Sequence, residues 1–232
     1  MTTTSTSARP ATAPRTIQIW SDLLCPFAHV AVHRLWRTRT ELGLDDVVRF
    51  DHHVFPLELF DGPHPRRGTD TEAVGLGQIE PAAGFRVWSA ADDLYPHTVL
   101  LAAEAVLAAK AQSLSAGEQL DRALRIGFWL HSRSISHRAV VLDLATGLDL
   151  DHARLTTDLD DGTFRRAVMD DFAVSQGDEI TGSPHLFLPD GSAEHNPGIT
   201  VHWEGPWAAG YPVVDHDRPE VFADLLVRAA GN

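Results

Sequence analysis

Residues 16–35 read TIQIWSDLLCPFAHVAVHRL, and the class of fold is decided in this stretch. Thr16 to Trp20 alternates polar and apolar side chains, the period-two pattern of a half-buried strand. Ser21 to Leu24 is a short turn, and Cys25-Pro26 follows. Proline is favoured at the first helical position, where its missing N–H costs no hydrogen bond. Ala28, Ala31, Val32 and Leu35 then fall at i, i+3, i+4 and i+7, one apolar helix face. The helix is expected to run to about Leu42, with Gly43 as its stop.

Outward from this stretch, Val47 to Phe55 reads as a second strand, so the first 55 residues form a strand–helix–strand unit with parallel pairing. Proline, glycine and charge dominate Asp61 to Ala83, which reads as irregular and lid-like. Ala91 to Thr157 reads as helical throughout. It contains LLAAEAVLAAK at 100–110, a strong helix former, and a capping-box pattern at Ser115 to Glu118. Further helices are expected at Ser136–Thr146, Asp149–Asp158 and Gly162–Ser175. A Gly182-Ser183-Pro184 turn feeds an apolar strand at 185–188. Residues 199–203 suggest a pairing strand, and Pro219–Ala230 a closing helix. Strands mixed with helices in this order define an α/β class.

Composition narrows the partners. The 232 residues carry 19 Lys+Arg against 32 Asp+Glu, a formal charge of −13. Such a surface repels phosphate backbones and anionic lipid, which argues against nucleic-acid and membrane partners. No apolar run of about 18 residues is present, so no membrane span is expected. The opening MTTTSTSARPATAP lacks an apolar stretch suited to a signal peptide, and residues 1–14 read as a disordered tail. The single cysteine makes an internal disulfide and a thiolate zinc site impossible within one chain. It suits a reducing cytoplasm. A homodimer stays open, since the sequence does not supply the oligomeric state.

Cys25 is the residue with chemistry. The first-turn N–H groups of a helix lack helical partners and favour an anion. A thiol placed there has its pKa lowered from about 8.5 to roughly 3.5–7.5. Against this stands the plainer role of a free cysteine as a small buried hydrophobe. His29 and His33 lie four and eight residues on, and a protonated His29 would stabilise a thiolate. A metal site is not expected, because positions eight apart on a helix are separated by about 12 Å.

The stretch at 17–35 resembles the active-site opening of the DsbA/FrnE-like family of the thioredoxin superfamily. DFAVSQGDEITGSPHLFLPDGS at 171–192 resembles the same family's later signature, and ALRIGFWLHSRSISHRAVVLDLATGLD at 123–149 its helical insertion. The resemblance implies a thioredoxin-like fold of βαβ…ββα order, with residues 15–60 and 160–232 forming the core domain and 61–159 the insertion. It implies Cys25 as the catalytic residue with Pro26 behind it, and the helix spacing adds His29 as a supporting candidate. Phe27, which stands where the family has Trp, would flank the thiol. It further implies a cis peptide before Pro184 that presents Ser183 to a sulfur partner. The family's dithiol members carry Cys-Pro-x-Cys, whereas here the fourth position is Ala28. Without a resolving cysteine, a mixed disulfide on Cys25 cannot be released from within the chain. The expectation is therefore a monothiol CPFA oxidoreductase. It would use an external low-mass thiol, glutathione or mycothiol, on a small-molecule or disulfide substrate. Two alternatives stay open. One is a thiol-dependent isomerase or transferase of the 2-hydroxychromene-2-carboxylate isomerase or kappa-class type. The other is a binding module that kept the fold without the chemistry.

Overall fold

A computed structural model describes residues 8–206 and 209–231. In chain order the elements are β1 (Thr16–Ser21), α1 (Pro26–Glu41), β2 (Arg49–Val54), α2 (Leu57–Asp61), α3 (Arg66–Ile79), α4 (Leu100–Lys110) and α5 (Leu114–Trp129). They continue with α6 (Arg138–Ala145), α7 (His152–Asp161), α8 (Arg165–Ser175), β3 (His185–Phe187), β4 (Ala193–His195), β5 (Ile199–Glu204), β6 (Tyr211–Asp217) and α9 (Val221–Ala230). The main sheet has the order β2-β1-β3-β4. β1 and β2 are parallel, in register from Thr16↔Arg49 to Ser21↔Val54, while β3 and β4 run antiparallel.

One face of this sheet is closed by α1 and α9. Ile17, Ile19, Phe50 and Leu186 meet Leu35, Phe222 and Leu226 there, each of them inaccessible to solvent. Burying a side chain of this size contributes about 1.5–3 kcal/mol, so this cluster dominates the sheet's stability. The helical block between β2 and β3 has its own core around Leu120, Leu124, Phe128 and Trp129.

The outer edge of β2 is closed by side chains rather than by a strand. The Phe50 N–H donates to Glu118 Oε1 at 2.6 Å, the His52 carbonyl accepts from Lys110 Nζ at 2.6 Å, and the Val54 N–H donates to Asp171 Oδ2 at 2.9 Å. One buried ion pair joins α1 to α5 and a second lies within α5. Arg39 pairs with Glu118 at 2.9 Å and Arg125 with Asp121 at 2.8 Å.

Several expectations change. The segment read as irregular holds α3, because tertiary packing overrides weak local propensity. Ala73 and Leu76 are buried. Gly75 lets β6 approach so closely that a Cβ there would sit 3.1 Å from Pro212 Cγ. The cap of α5 is Ser113, whose Oγ accepts from the Ala116 N–H at 3.0 Å, so the Ser115–Glu118 box is not used. The stretch 91–157 is broken between helices, with α6 beginning only at Arg138. Residues 199–204 do not join the main sheet. They pair with β6, a strand the sequence reading lacked, in a separate hairpin. Of the tail at 1–14, residues 1–7 lie outside the described residues. Arg9 is tethered, donating to Gln18 Oε1 at 2.7 Å and lying over the Phe187 ring at 4.0 Å.

Candidate active site

Cys25 is the N-cap residue of α1, with extended backbone (φ −75°, ψ 117°) and Pro26 behind it. The turn that delivers it is held by its own Asp22 and by two side chains of α5. Asp22 folds back so that its Oδ1 accepts from the Leu24 N–H at 2.7 Å. Its Oδ2 accepts from the Leu57 N–H at 2.9 Å. The fully buried Arg125 of α5 donates to the Asp22 carbonyl at 2.9 Å and to Ser21 Oγ at 2.8 Å. The Trp129 indole N–H donates to the Leu23 carbonyl at 3.3 Å.

The loop before β3 comes to the same place. The Asp22 N–H donates to Ser183 Oγ at 2.9 Å, and Cys25 Sγ donates to the Ser183 carbonyl at 3.0 Å. The Ser183–Pro184 peptide is cis. Residues 194–198 back this loop. The Asn196 N–H donates to the Pro184 carbonyl at 3.1 Å, and the His195 ring lies over Gly182, where a Cβ would meet Nε2 at 2.5 Å.

The thiol differs from the sequence expectation. Cys25 is only 3% exposed, and burial pushes its pKa up to about 12. Removing a charge from water is costly, so the neutral form is favoured. The Ala28 N–H works in the opposite direction, as the helix-start argument requires, but burial outweighs it. The charges of Glu72 and Asp22 add to the rise. The resting thiol is therefore protonated and donates its hydrogen to Ser183.

His29 does not serve as a charged partner. It is buried among aromatic rings, with Phe85 at 4.8 Å and Trp129 at 5.8 Å between centroids. Burial pushes its pKa down to about 3. Its Nε2 lies 2.8 Å from the Ala83 carbonyl, which can only accept, so Nε2 carries the proton. Phe27 is half-buried and packs with Val30, Leu76 and Ile199. Of the other aromatics, Trp88, Tyr95, Phe128 and Trp129 are core residues.

Beside the turn lies a cavity of about 320 Å³, bounded by α2, α3, the Gly62–Pro65 loop and Trp203. His64 reaches inward from it, with Nε2 3.8 Å from Asp22 Oδ1. Burial opposes a charged His64, but Asp22 outweighs it and the pKa ends above the ordinary value. Glu72 lines the same cavity, and burial pushes its carboxyl up to about 7. Sequence reasoning missed Asp22, His64, Glu72 and Arg125. The signal for Asp22 was its place in the Ser-Asp pair ahead of Cys25, and for His64 its setting between two prolines. Glu72 and Arg125 carry no local signal. Among the described residues, no group of three metal-ligating side chains gathers, and no helix is long and apolar enough to cross a membrane.

A parallel β1–β2 pair, an antiparallel β3–β4 pair and a cysteine at the start of α1 define a protein of the thioredoxin-fold class. The profile of the DsbA-like thioredoxin domain matches residues 16–226, and the chain belongs to that family. Solved structures agree on the fold. A probable DsbA oxidoreductase from Streptomyces coelicolor is 20% identical, with 94% of this chain and 90% of that one covered and a TM-score of 0.65. The cytosolic disulfide reductase DsbM from Pseudomonas aeruginosa is 16% identical over 93% of this chain and 95% of that one, with a TM-score of 0.58. The same reductase solved with GSH is 17% identical over 94% and 100%, with a TM-score of 0.54. No curated protein sequence matches the chain.

Proposed function

We propose that this chain is a thiol-dependent oxidoreductase that works with one protein sulfur, Cys25, and an external low-mass thiol, glutathione or mycothiol. The observation that carries this reading is the placement of Cys25 Sγ 3.0 Å from Ser183, on the loop where the family receives a sulfur partner. The Cys25 thiolate attacks a disulfide R–S–S–R. A bond forms between Sγ and one sulfur, the original disulfide bond breaks, and the leaving thiolate takes up the proton that Cys25 gave to solvent. A second thiol then attacks the mixed disulfide and restores Cys25. Pro26 and Phe27 shape the helix start, and Ser183-Pro184 orients the partner. The insertion, which we place at 61–159, supplies selectivity for a small-molecule or disulfide substrate. His29 acts as a neutral packing group. A single cysteine suits a reducing compartment, and we place the protein in the cytoplasm.

One observation favours a second reading. A thiol with a pKa near 12 can stay protonated and hydrogen-bond to a cofactor's sulfur, as an isomerase or transferase would require. Intact-mass analysis after incubation with oxidised glutathione and oxidised mycothiol tests the first reading. A single adduct, absent in Cys25→Ala, is expected. Its rate should rise about tenfold per pH unit from 7 to 10 without a plateau. No adduct at any of these pH values, together with activity retained in Cys25→Ser, would instead leave the second reading standing.

A further inference from the structure

We propose that the cavity beside the turn that carries Cys25 accepts uncharged or cationic thiols and disulfides and turns anionic ones away, a preference set by Glu72 and Asp61. The inference rests on the reading of Cys25 as the working sulfur and names the class of partner that sulfur meets.

The charges around the cavity are one-sided. Asp61 and Glu72 line it. Asp22 and Glu58 lie behind His64, near enough for both to act on its charge. Among the described residues, the only basic group on the wall is His64, and it faces Asp22 at 3.8 Å. The arginines of α3 are directed elsewhere. Arg66 and Arg67 line a different and larger cavity, of about 930 Å³, between α3 and β6. Arg66 is also held by Asp70 and Asp92. Among the described residues, Glu72 makes no hydrogen bond or ion pair, although it lines a partly desolvated space. Its carboxyl, with a pKa of about 7, is mostly charged at pH 8. The charges that act on Cys25 itself are Glu72 and Asp22, both negative.

An anion entering this space brings like charge against carboxylates that water screens poorly. An ammonium finds Glu72 and Trp203, a residue 46% exposed on the cavity wall. The volume of about 320 Å³ lies at the small end for ligand sites, suited to one half of a low-mass disulfide. The two thiols named above differ in this respect. Glutathione carries two carboxylates, whereas mycothiol has no ionised group.

The test uses three small symmetric disulfides of similar size: cystamine (dication), bis(2-hydroxyethyl) disulfide (neutral) and dithiodiglycolate (dianion). Adduct formation on the full chain is followed by intact mass at pH 8 and low salt. Each rate is divided by that of the guanidinium-unfolded chain, which removes intrinsic reactivity. The expected order is cystamine, then the neutral probe, then dithiodiglycolate, with at least tenfold between the extremes. That ratio should fall several-fold in Glu72→Gln and in Asp61→Asn, and also in 0.5 M salt. Thermal melting confirms that each variant is folded. Normalised rates equal within twofold, or a ratio unchanged in both folded variants, would overturn the charge preference and leave the role of Cys25 intact. No adduct from any of the three would overturn both.

Discussion

The two walls around Cys25 are built on opposite principles. The β1–α1 wall is buried, and a hydrogen-bonded network closes the turn before Cys25. Arg125, Asp121, Ser21 and Asp22 form one network there, and Ser183 closes it. The α2–α3 wall carries a half-buried carboxylate and a histidine with an unbonded buried nitrogen, and β6 holds it through a glycine contact. The first wall fixes where the sulfur is and keeps it protonated. The second decides what charge the sulfur's surroundings present. In this fold, position and selectivity are supplied by different parts of the chain.

The sharpest way to break this contrast is to remove a charge from each wall. Arg125→Met leaves Asp121 buried without its partner and should cost about 3–5 kcal/mol in urea denaturation. Glu72→Gln should stay within about 0.5 kcal/mol at neutral pH. Equal costs would show that the walls are not different in kind.

The pH dependence of stability should separate them next. His29 and His52 are buried, with pKa values pushed by burial down to about 3 and about 4. The folded state holds fewer protons there than the unfolded one. Their stabilisation is present above about pH 6.5 and is lost as pH falls, by up to about 1.4 kcal/mol per pH unit for each. Glu72, raised to about 7, has the opposite sign. Its contribution is present below the ordinary carboxylate pKa and is lost as pH rises through 7. Between pH 6.5 and 4.5, denaturation midpoints should therefore fall more steeply in Glu72→Gln than in the wild type, and less steeply in His29→Gln.

A smaller effect tests how the Cys25 turn is closed. Ser183→Ala strands the buried Asp22 N–H and should cost about 1–3 kcal/mol, read in the same denaturation series. The smallest effect lies away from both walls. Ser113→Ala removes the cap of α5 and should cost about 1 kcal/mol, whereas Ser115→Ala should cost less.

The backbone of the first wall was legible in the sequence, while its side-chain network and the whole second wall were not. Pro26 and Gly43 bound α1 closely, because each signal is local. Pro26 is the first helical residue, and Gly43 adopts φ +67°. The parallel β1–β2 pair followed from alternation within ten residues of that helix. The α3 segment resisted reading because its RRGTDTEAVGLGQ composition is poor in helix formers. Its helix depends on Pro212, more than 130 residues away. The error in the Cys25 pKa has the same root. A helix start lowers a thiol's pKa locally, but the degree of burial is set by segments the local sequence does not contain. Arg125 was hidden for a related reason, since nothing in its helix tells that its guanidinium reaches the turn before Cys25.

The side-chain closure of β2 also determines how the sheet can meet other extended chains. A strand offered to β2 would have to displace Glu118, Lys110 and Asp171 from the backbone groups they already satisfy. At the other margin, β4 is short and exposed, with no such guard described for it. The sheet is thus capped on one side and extendable on the other. Any added strand would arrive at β4, the side where residues 194–198 support the Ser183 loop.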